Sequence, residues 1–375
     1  MKILFISHDA HRAGAQLYLL NLLNCIKNNN TNVKFEVLLC RGGVLQGDFN
    51  KLCKVYQLED YLKGTFLKKK YRRYKNKRIY KRILKSNYDI IYSNTILNGA
   101  ILKKLKSLDS PVVSHIHELD YWIKKGGEEN IELVKRNTNF YFTASKAVTK
   151  KLVDKYNFNG KLFKEVYVPI DIKKMENKSE YKSLKSFLGI EKEAKIVCAC
   201  GTEDYRKGKD WFIPIAVSLL NSEELLQENI HFVWIGGKLT RSLIDDLNRV
   251  NKKNRIHFIN QLPDANRYFN EIDVFLMLSR EDPFPTVNLE VGALGIPVLG
   301  FKSTGGTEEL LEEFEEALVD FGDIKGLMEK TLSILKDEKL NIELGMRLKN
   351  KVKEKYNIDY LVNKIITKLE DLSSK

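Results

Sequence analysis

The chain has 375 residues, of which 43% are hydrophobic, 10% aromatic and 30% charged; this excludes a disordered or collagen-like polymer and supplies apolar mass for two cores. Five cysteines, an odd number mostly inside apolar runs, exclude a disulfide scaffold and suit a reducing compartment. The formal charge of +14 is local: segment 63–85 holds twelve Lys or Arg and no acid, and the remainder has 51 basic against 49 acidic residues.

In chain order, the opening run KILFIS reads as a strand and is too short for the central region of a signal peptide. No run approaches the roughly 20 apolar residues that span a bilayer, so a cytoplasmic protein without a membrane anchor is expected. A loop, SHDAHRAGAQ, leads into QLYLLNLLNCI, whose leucines recur at helical spacing. The runs FEVLLC, DIIYSN, PVVSHIHE and FYFTAS follow, each separated by helical patterns. After VYVPI, the lysine-rich stretch IKKMENKSEYKSLKS reads as a linker or surface segment. A second series then repeats the first: KIVCACGT, HFVWIGG, RIHFIN, VFLMLS and IPVLGF. Such alternation predicts an α/β protein of two Rossmann-like, doubly wound domains facing across a cleft, with ligands outside the carboxyl ends of the strands. The expected boundaries are 1–172 and 173–355, with a helix at 356–375 returning to the first domain.

The densest stretch is SREDPFPTVNLEVGALGIPVLG, which follows VFLMLS. It predicts a helix opening near Thr286 with Val287, Val291 and Leu294 as its apolar stripe. Glu290 falls inside that stripe, where a carboxylate needs a partner. Asp282 stands eight residues earlier, and Pro283 and Pro285 fix the path between them. The helix start at Pro285 and Thr286 offers free amides suited to a phosphate. After KIVCACGT, the turn EDYRKGKD brings Arg206, Lys207 and Gly208 to a helix entry. In PVVSHIHE, His115 and His117 share one side of a strand, with His117 near its end. In the first loop, Gly14 permits close backbone approach, but GxGxxG is missing, which argues against a nicotinamide cofactor.

The spacing of Asp282 and Glu290 resembles the paired acids, with seven residues between them, of the retaining GT-B glycosyltransferases of family four. That resemblance implies a nucleotide-diphosphate sugar as donor, the first acid on the donor sugar and Glu290 on the ribose. The first acid is Asp where the family usually has Glu, and Glu281 precedes it, so either could reach the sugar. Lys207 and Gly208 resemble the family's lysine-glycine turn at the diphosphate; Thr202 stands where an arginine is common, and Arg206 could supply that charge. His117 resembles the histidine lining the donor-sugar pocket, and Ala13 and Gly14 the turn before the first helix. The first domain would then serve the acceptor and the second the donor, with retention and no metal or other cofactor. The acceptor is expected to be a glycan, a lipid-linked sugar or an envelope component.

Two other readings follow from the same residues. An epimerase of this architecture would share the donor site. The basic segment, interleaved with Tyr71, Tyr74 and Tyr80, could stack nucleic-acid bases, although the balanced charge elsewhere and the lack of a nucleic-acid module disfavour that. An anionic membrane surface is the partner its mixed basic and apolar composition suits better.

Overall fold

The computed structural model describes residues 1–29, 32–60, 65–226, 228–250, 254–262 and 264–374. Its chain forms two units, one of Met1–Pro169 with Ile358–Lys375 and one of Ile170–Asn357. The divisions fall two to three residues from the expected boundaries. The lysine-rich stretch after Ile170 is no linker: Ile172, Met175 and Leu184 are buried, and the stretch lies wholly in the second unit. Lys173, Lys174 and Lys182 are exposed while Ile172, Met175 and Leu184 turn inward, which composition alone obscures.

The first unit holds a seven-stranded parallel sheet in the order β3-β2-β1-β4-β5-β6-β7. These strands are β1 (Lys2–Ser7), β2 (Lys34–Leu39), β3 (Lys54–Gln57), β4 (Ile90–Ser93), β5 (Val112–Ile116), β6 (Phe140–Thr143) and β7 (Phe163–Glu165). Near-continuous apolar runs such as Ile3, Leu4, Phe5 and Ile6 are fully buried because helices cover both faces of the sheet. Leu19, Leu22 and Leu23 of helix Gly14–Asn28 pack on one face with Val362, Ile365 and Leu369 of the terminal helix Ile358–Ser373. Thus residues 358–373 belong to the first unit, as expected of the terminal helix. VYVPI is not a strand; it lies beyond β7.

The second unit repeats the plan with six parallel strands in the order β10-β9-β8-β11-β12-β13. They are β8 (Lys195–Cys200), β9 (Ile230–Ile235), β10 (Ile256–Ile259), β11 (Val274–Met277), β12 (Val298–Phe301) and β13 (Leu318–Val319). In both units the sheet order reverses beside the first strand, between β1 and β4 and between β8 and β11. Loops leaving neighbouring strands diverge there, so each reversal opens a crevice at the strands' carboxyl ends. The short strands β3, β7 and β13 carry too little apolar pattern to stand out in the sequence.

Candidate active site

At the second unit's reversal, the loop after β8 meets the loop after β11. Lys207 Nζ pairs with Asp282 Oδ2 at 2.5 Å, and Asp282 is buried. The Asp282 backbone is pinned at both ends: its N–H donates to the Thr304 carbonyl at 2.8 Å, and its carbonyl accepts from Gly306 N–H at 3.1 Å. Gly306 cannot be replaced without moving this segment, since a Cβ there would sit 2.5 Å from the Pro283 carbonyl oxygen. Gly208 has φ +70°, and a Cβ on it would lie 2.1 Å from the Leu278 carbonyl oxygen. That close approach is what sets Lys207 against the end of β11.

Arg206 and Arg280 tie the two loops together. The Arg206 guanidinium donates to the Glu281 carbonyl at 2.9 Å and lies 3.4 Å from the Asp204 carboxylate. Arg280 makes a two-pronged pair with Asp210 at 2.8 and 2.7 Å, between the rings of Tyr205 and Trp211 at 4.0 and 4.1 Å. Fork-to-carboxylate geometry and two aromatic faces together restrict the guanidinium to one place. Arg280 escaped the sequence reading, although it stands in the same SRED stretch as the acids. Lys209 escaped it as well: it is buried, and its ammonium donates to the carbonyls of Gly236 and Lys238 at 2.9 and 3.2 Å. Burial lowers its pKa. Gly236 and Gly237 therefore shape the bed of this lysine.

Helix Thr286–Leu294 begins where expected, with Pro285 at its cap. Its buried face differs from the expected stripe. Asn288, Leu289, Val291, Gly292 and Ala293 are buried, whereas Val287 and Leu294 are half-buried. The reason is Gly292, where a Cβ would come within 3.0 to 3.1 Å of Leu348 and Val352 of helix Glu338–Lys355. The small residue draws that helix in and rotates the packing seam toward itself. Glu290 is left half-buried with no hydrogen-bond or ion-pair partner among the described residues. Desolvation pushes its carboxyl up to about 7, with Lys174 acting weakly the other way. Cys200, at the end of β8, senses Glu290, Lys207 and Lys209 together; burial raises its thiol to about 12. The three side chains thus share one neighbourhood.

The first unit's reversal is built differently. His115 is fully buried, 2.6 Å from the Tyr92 hydroxyl, and its ring stacks on His117 at 4.1 Å. Tyr18 covers His117 at 4.7 Å. Burial depresses both histidines, His117 to about 3, so both rings are neutral near pH 7. Glu118, buried beside them, accepts from the Thr95 hydroxyl, from Ile96 N–H at 3.2 Å and from His117 N–H at 3.0 Å. Gly14 opens helix Gly14–Asn28, and a Cβ on it would meet nothing within 4 Å. Glu281 is half-buried beside Asp282. Among the described residues, no three His, Cys, Asp or Glu cluster as metal ligands would.

Two doubly wound units of this kind define the GT-B class, and solved structures share the whole fold. Anabaena Alr3699/HepE, crystallised with UDP and glucose, superposes with a TM-score of 0.80 over 99% of this chain and all of that one, at 18% identity. Residues 181–355 match the family model of glycosyl transferases group 1. The second unit thus carries the domain of the glycosyl transferases group 1, matched over most of its length. UDP-Gal:alpha-D-GlcNAc-diphosphoundecaprenol alpha-1,3-galactosyltransferase of Escherichia coli is 24% identical over 76% of each chain. N-acetyl-alpha-D-glucosaminyl L-malate synthase of Bacillus anthracis is 28% identical over 31% of this chain, and that match spans 30% of the synthase.

Proposed function

We propose that this enzyme transfers a sugar from a UDP-sugar to a lipid-linked or polysaccharide acceptor, with retention at the anomeric carbon and no metal. The carrying observation is Glu290: a desolvated carboxylate without a partner among the described residues, in the neighbourhood of Lys207, is suited to accept two hydroxyls of a ribose. Lys207 meets the charge of the diphosphate, with Arg206 and the free Thr286 amide at the helix start as further donors. Asp282, held at Lys207, takes hydroxyls of the donor sugar, which favours it over Glu281. His117 contributes as a neutral polar ring. The uracil choice is supported by the UDP complex of Anabaena HepE, and the lipid-linked acceptor by the undecaprenol-linked substrate in the name of the Escherichia coli relative.

The same reading places the enzyme at the cytoplasmic face of an anionic membrane. Helix Phe66–Ile83 carries no acid, and Asn76, Ile79 and Ile83 fasten one face of it to the first unit. Asn76 clamps Glu59, accepting from its N–H at 2.8 Å and donating to its carbonyl at 2.9 Å. Leu67, Tyr71 and Tyr74, at i, i+4 and i+7, form the opposite face and are 75, 67 and 58% exposed. Lys70, Lys77 and Lys81 lie along one side of that stripe and Lys75 and Arg82 along the other, an interfacial arrangement of apolar residues between cations. Lys63 and Gly64, the start of the basic segment, lie outside the described residues. Among the described residues no helix is long and apolar enough to cross a membrane, so attachment would be peripheral.

A thermal-shift panel of UDP, GDP, ADP and dTDP sugars tests the donor, since a ligand of the native state raises its apparent stability. UDP-sugars should stabilise the wild type and not Lys207→Ala. Product analysis by NMR, with and without a chelator, tests retention, metal independence and the epimerase alternative. An inverted product, or loss of activity on chelation, would overturn those parts.

A further inference from the structure

Asn94 stands at the end of β4 and is 1% exposed. Its Nδ2 donates to the Ala15 carbonyl at 2.7 Å, and its Oδ1 lies 3.0 Å from His117 Nε2. One side chain therefore ties the start of helix Gly14–Asn28 to the starts of the loops after β4 and β5. The bond to Ala15 settles which way the amide faces, because a carbonyl only accepts. Oδ1 is consequently the atom that meets His117, and it has no hydrogen to offer. His117 Nε2 must carry the proton.

A neutral imidazole holds one N–H, so Nδ1 is left with a bare lone pair. Tyr18 and His115 pack against the ring at 4.7 and 4.1 Å and oppose its rotation. Nδ1 has no hydrogen-bond partner among the described residues and, unlike His115 Nε2, is not sealed from solvent. We propose that Asn94 is a positioning residue that fixes His117 as the Nε2–H tautomer and so presents Nδ1 as an acceptor for a sugar hydroxyl. The choice of a sugar hydroxyl rests on the donor reading above; the tautomer lock does not. A lone pair repels phosphate oxygens and welcomes a hydroxyl, so the assignment separates His117 from the diphosphate.

Long-range ¹H–¹⁵N correlation spectra of the full chain, labelled with ¹⁵N-histidine, test this directly. His117 is assigned by the signals lost in His117→Gln. Wild type should show the Nε2–H pattern from pH 6 to 8, and Asn94→Ala a mixture of both tautomers. Asn94→Asp retains an acceptor but adds a carboxylate, which raises the pKa of His117 and brings its protonation into view as pH falls from 8 to 5. With UDP-glucose as probe, Asn94→Ala should lower kcat/KM about tenfold, the scale of one hydrogen bond of about 1.4 kcal/mol. An Nδ1–H pattern in wild type, or an unchanged tautomer in Asn94→Ala, overturns the lock whether or not the protein turns over any sugar nucleotide. Intact spectra with unchanged UDP-glucose kinetics in Asn94→Ala would overturn the hydroxyl role alone.

Discussion

The two units share one sheet topology and place charge in opposite ways. In the second, cations and carboxylates converge at the sheet reversal: Lys207, Arg206 and Arg280 against Asp282, Asp210 and Glu290. In the first, the groups that β4 and β5 bring to the reversal are neutral, His115, His117 and Asn94, beside the hydrogen-bonded Glu118 and the Asp9–His8 pair of the loop after β1, while a dense run of cations is set apart on helix Phe66–Ile83. Topology fixes where a crevice opens, and the side chains decide what it can hold. A polyanionic diphosphate suits the second crevice; hydroxyl-rich groups suit the first.

The sharpest way to break this contrast is to remove the charge from the second crevice. Lys207→Ala deletes the cation facing Asp282 and should reduce turnover roughly 10²- to 10³-fold, the effect of losing one preorganised stabilising group. His117→Gln, which changes a neutral group, should cost far less. Equal losses in steady-state kinetics for both variants would erase the distinction.

The external charge of the first unit should matter only for location. Replacing Lys70, Lys77 and Lys81 by Ser removes three cations beside the exposed Leu67, Tyr71 and Tyr74. At about 1 kcal/mol each, binding to anionic vesicles should fall about 100-fold, with turnover on a short soluble acceptor unchanged. Vesicle sedimentation at low and high salt reads this out. A wild type that ignores anionic vesicles and instead binds RNA would move the helix to the nucleic-acid reading.

Backbone geometry also separates the units. Gly208→Ala places a Cβ at 2.1 Å from the Leu278 carbonyl at φ +70°. It should destabilise the second unit by about 2 to 3 kcal/mol, the scale of local backbone strain, and show in chemical denaturation. Gly14→Ala, with nothing within 4 Å, should leave stability unchanged.

The sequence showed most where chemistry and spacing are local. Asp282, Glu290, Lys207 and Gly208 lie within two short segments, and the helix at Thr286 is announced by its prolines. The alternation of strands and helices was equally plain, since strands buried on both faces read as unbroken apolar runs. What escaped depends on contacts between segments distant in sequence. Arg280 is defined by Asp210, seventy residues away, and Asn94 by Ala15 and His117. The packing seam of helix Thr286–Leu294 was misread because Gly292 meets Leu348, which no local periodicity records. The lysine-rich stretch after Ile170 passed for a linker because its lysines outnumber the buried Ile172, Met175 and Leu184.

The smallest effect concerns pH, and it assigns titration to one unit alone. Burial without a partner holds Glu290 near 7, above its ordinary value, whereas His117 is depressed to about 3 and does not titrate near neutrality. In the free protein the raised Glu290 favours the protonated form on folding. Its contribution is thus most favourable below about pH 4.5, is lost as pH rises toward 7, and is constant above that. Under the proposed ribose contact, donor binding has the opposite preference, since ribose hydroxyls donate to a carboxylate and lower its pKa. Binding therefore releases a proton, and donor affinity should fall about tenfold from pH 8 to pH 6 as Glu290 takes up a proton in the free enzyme. Calorimetric titration with UDP-glucose, whose diphosphate does not titrate in this range, in two buffers of different ionisation enthalpy would detect that proton. Glu290→Gln, which cannot ionise, should flatten the profile and abolish the release, whereas His117→Gln should leave both unchanged. A flat wild-type profile between pH 6 and 8 would remove Glu290 from the ribose and leave the charged crevice to the diphosphate alone.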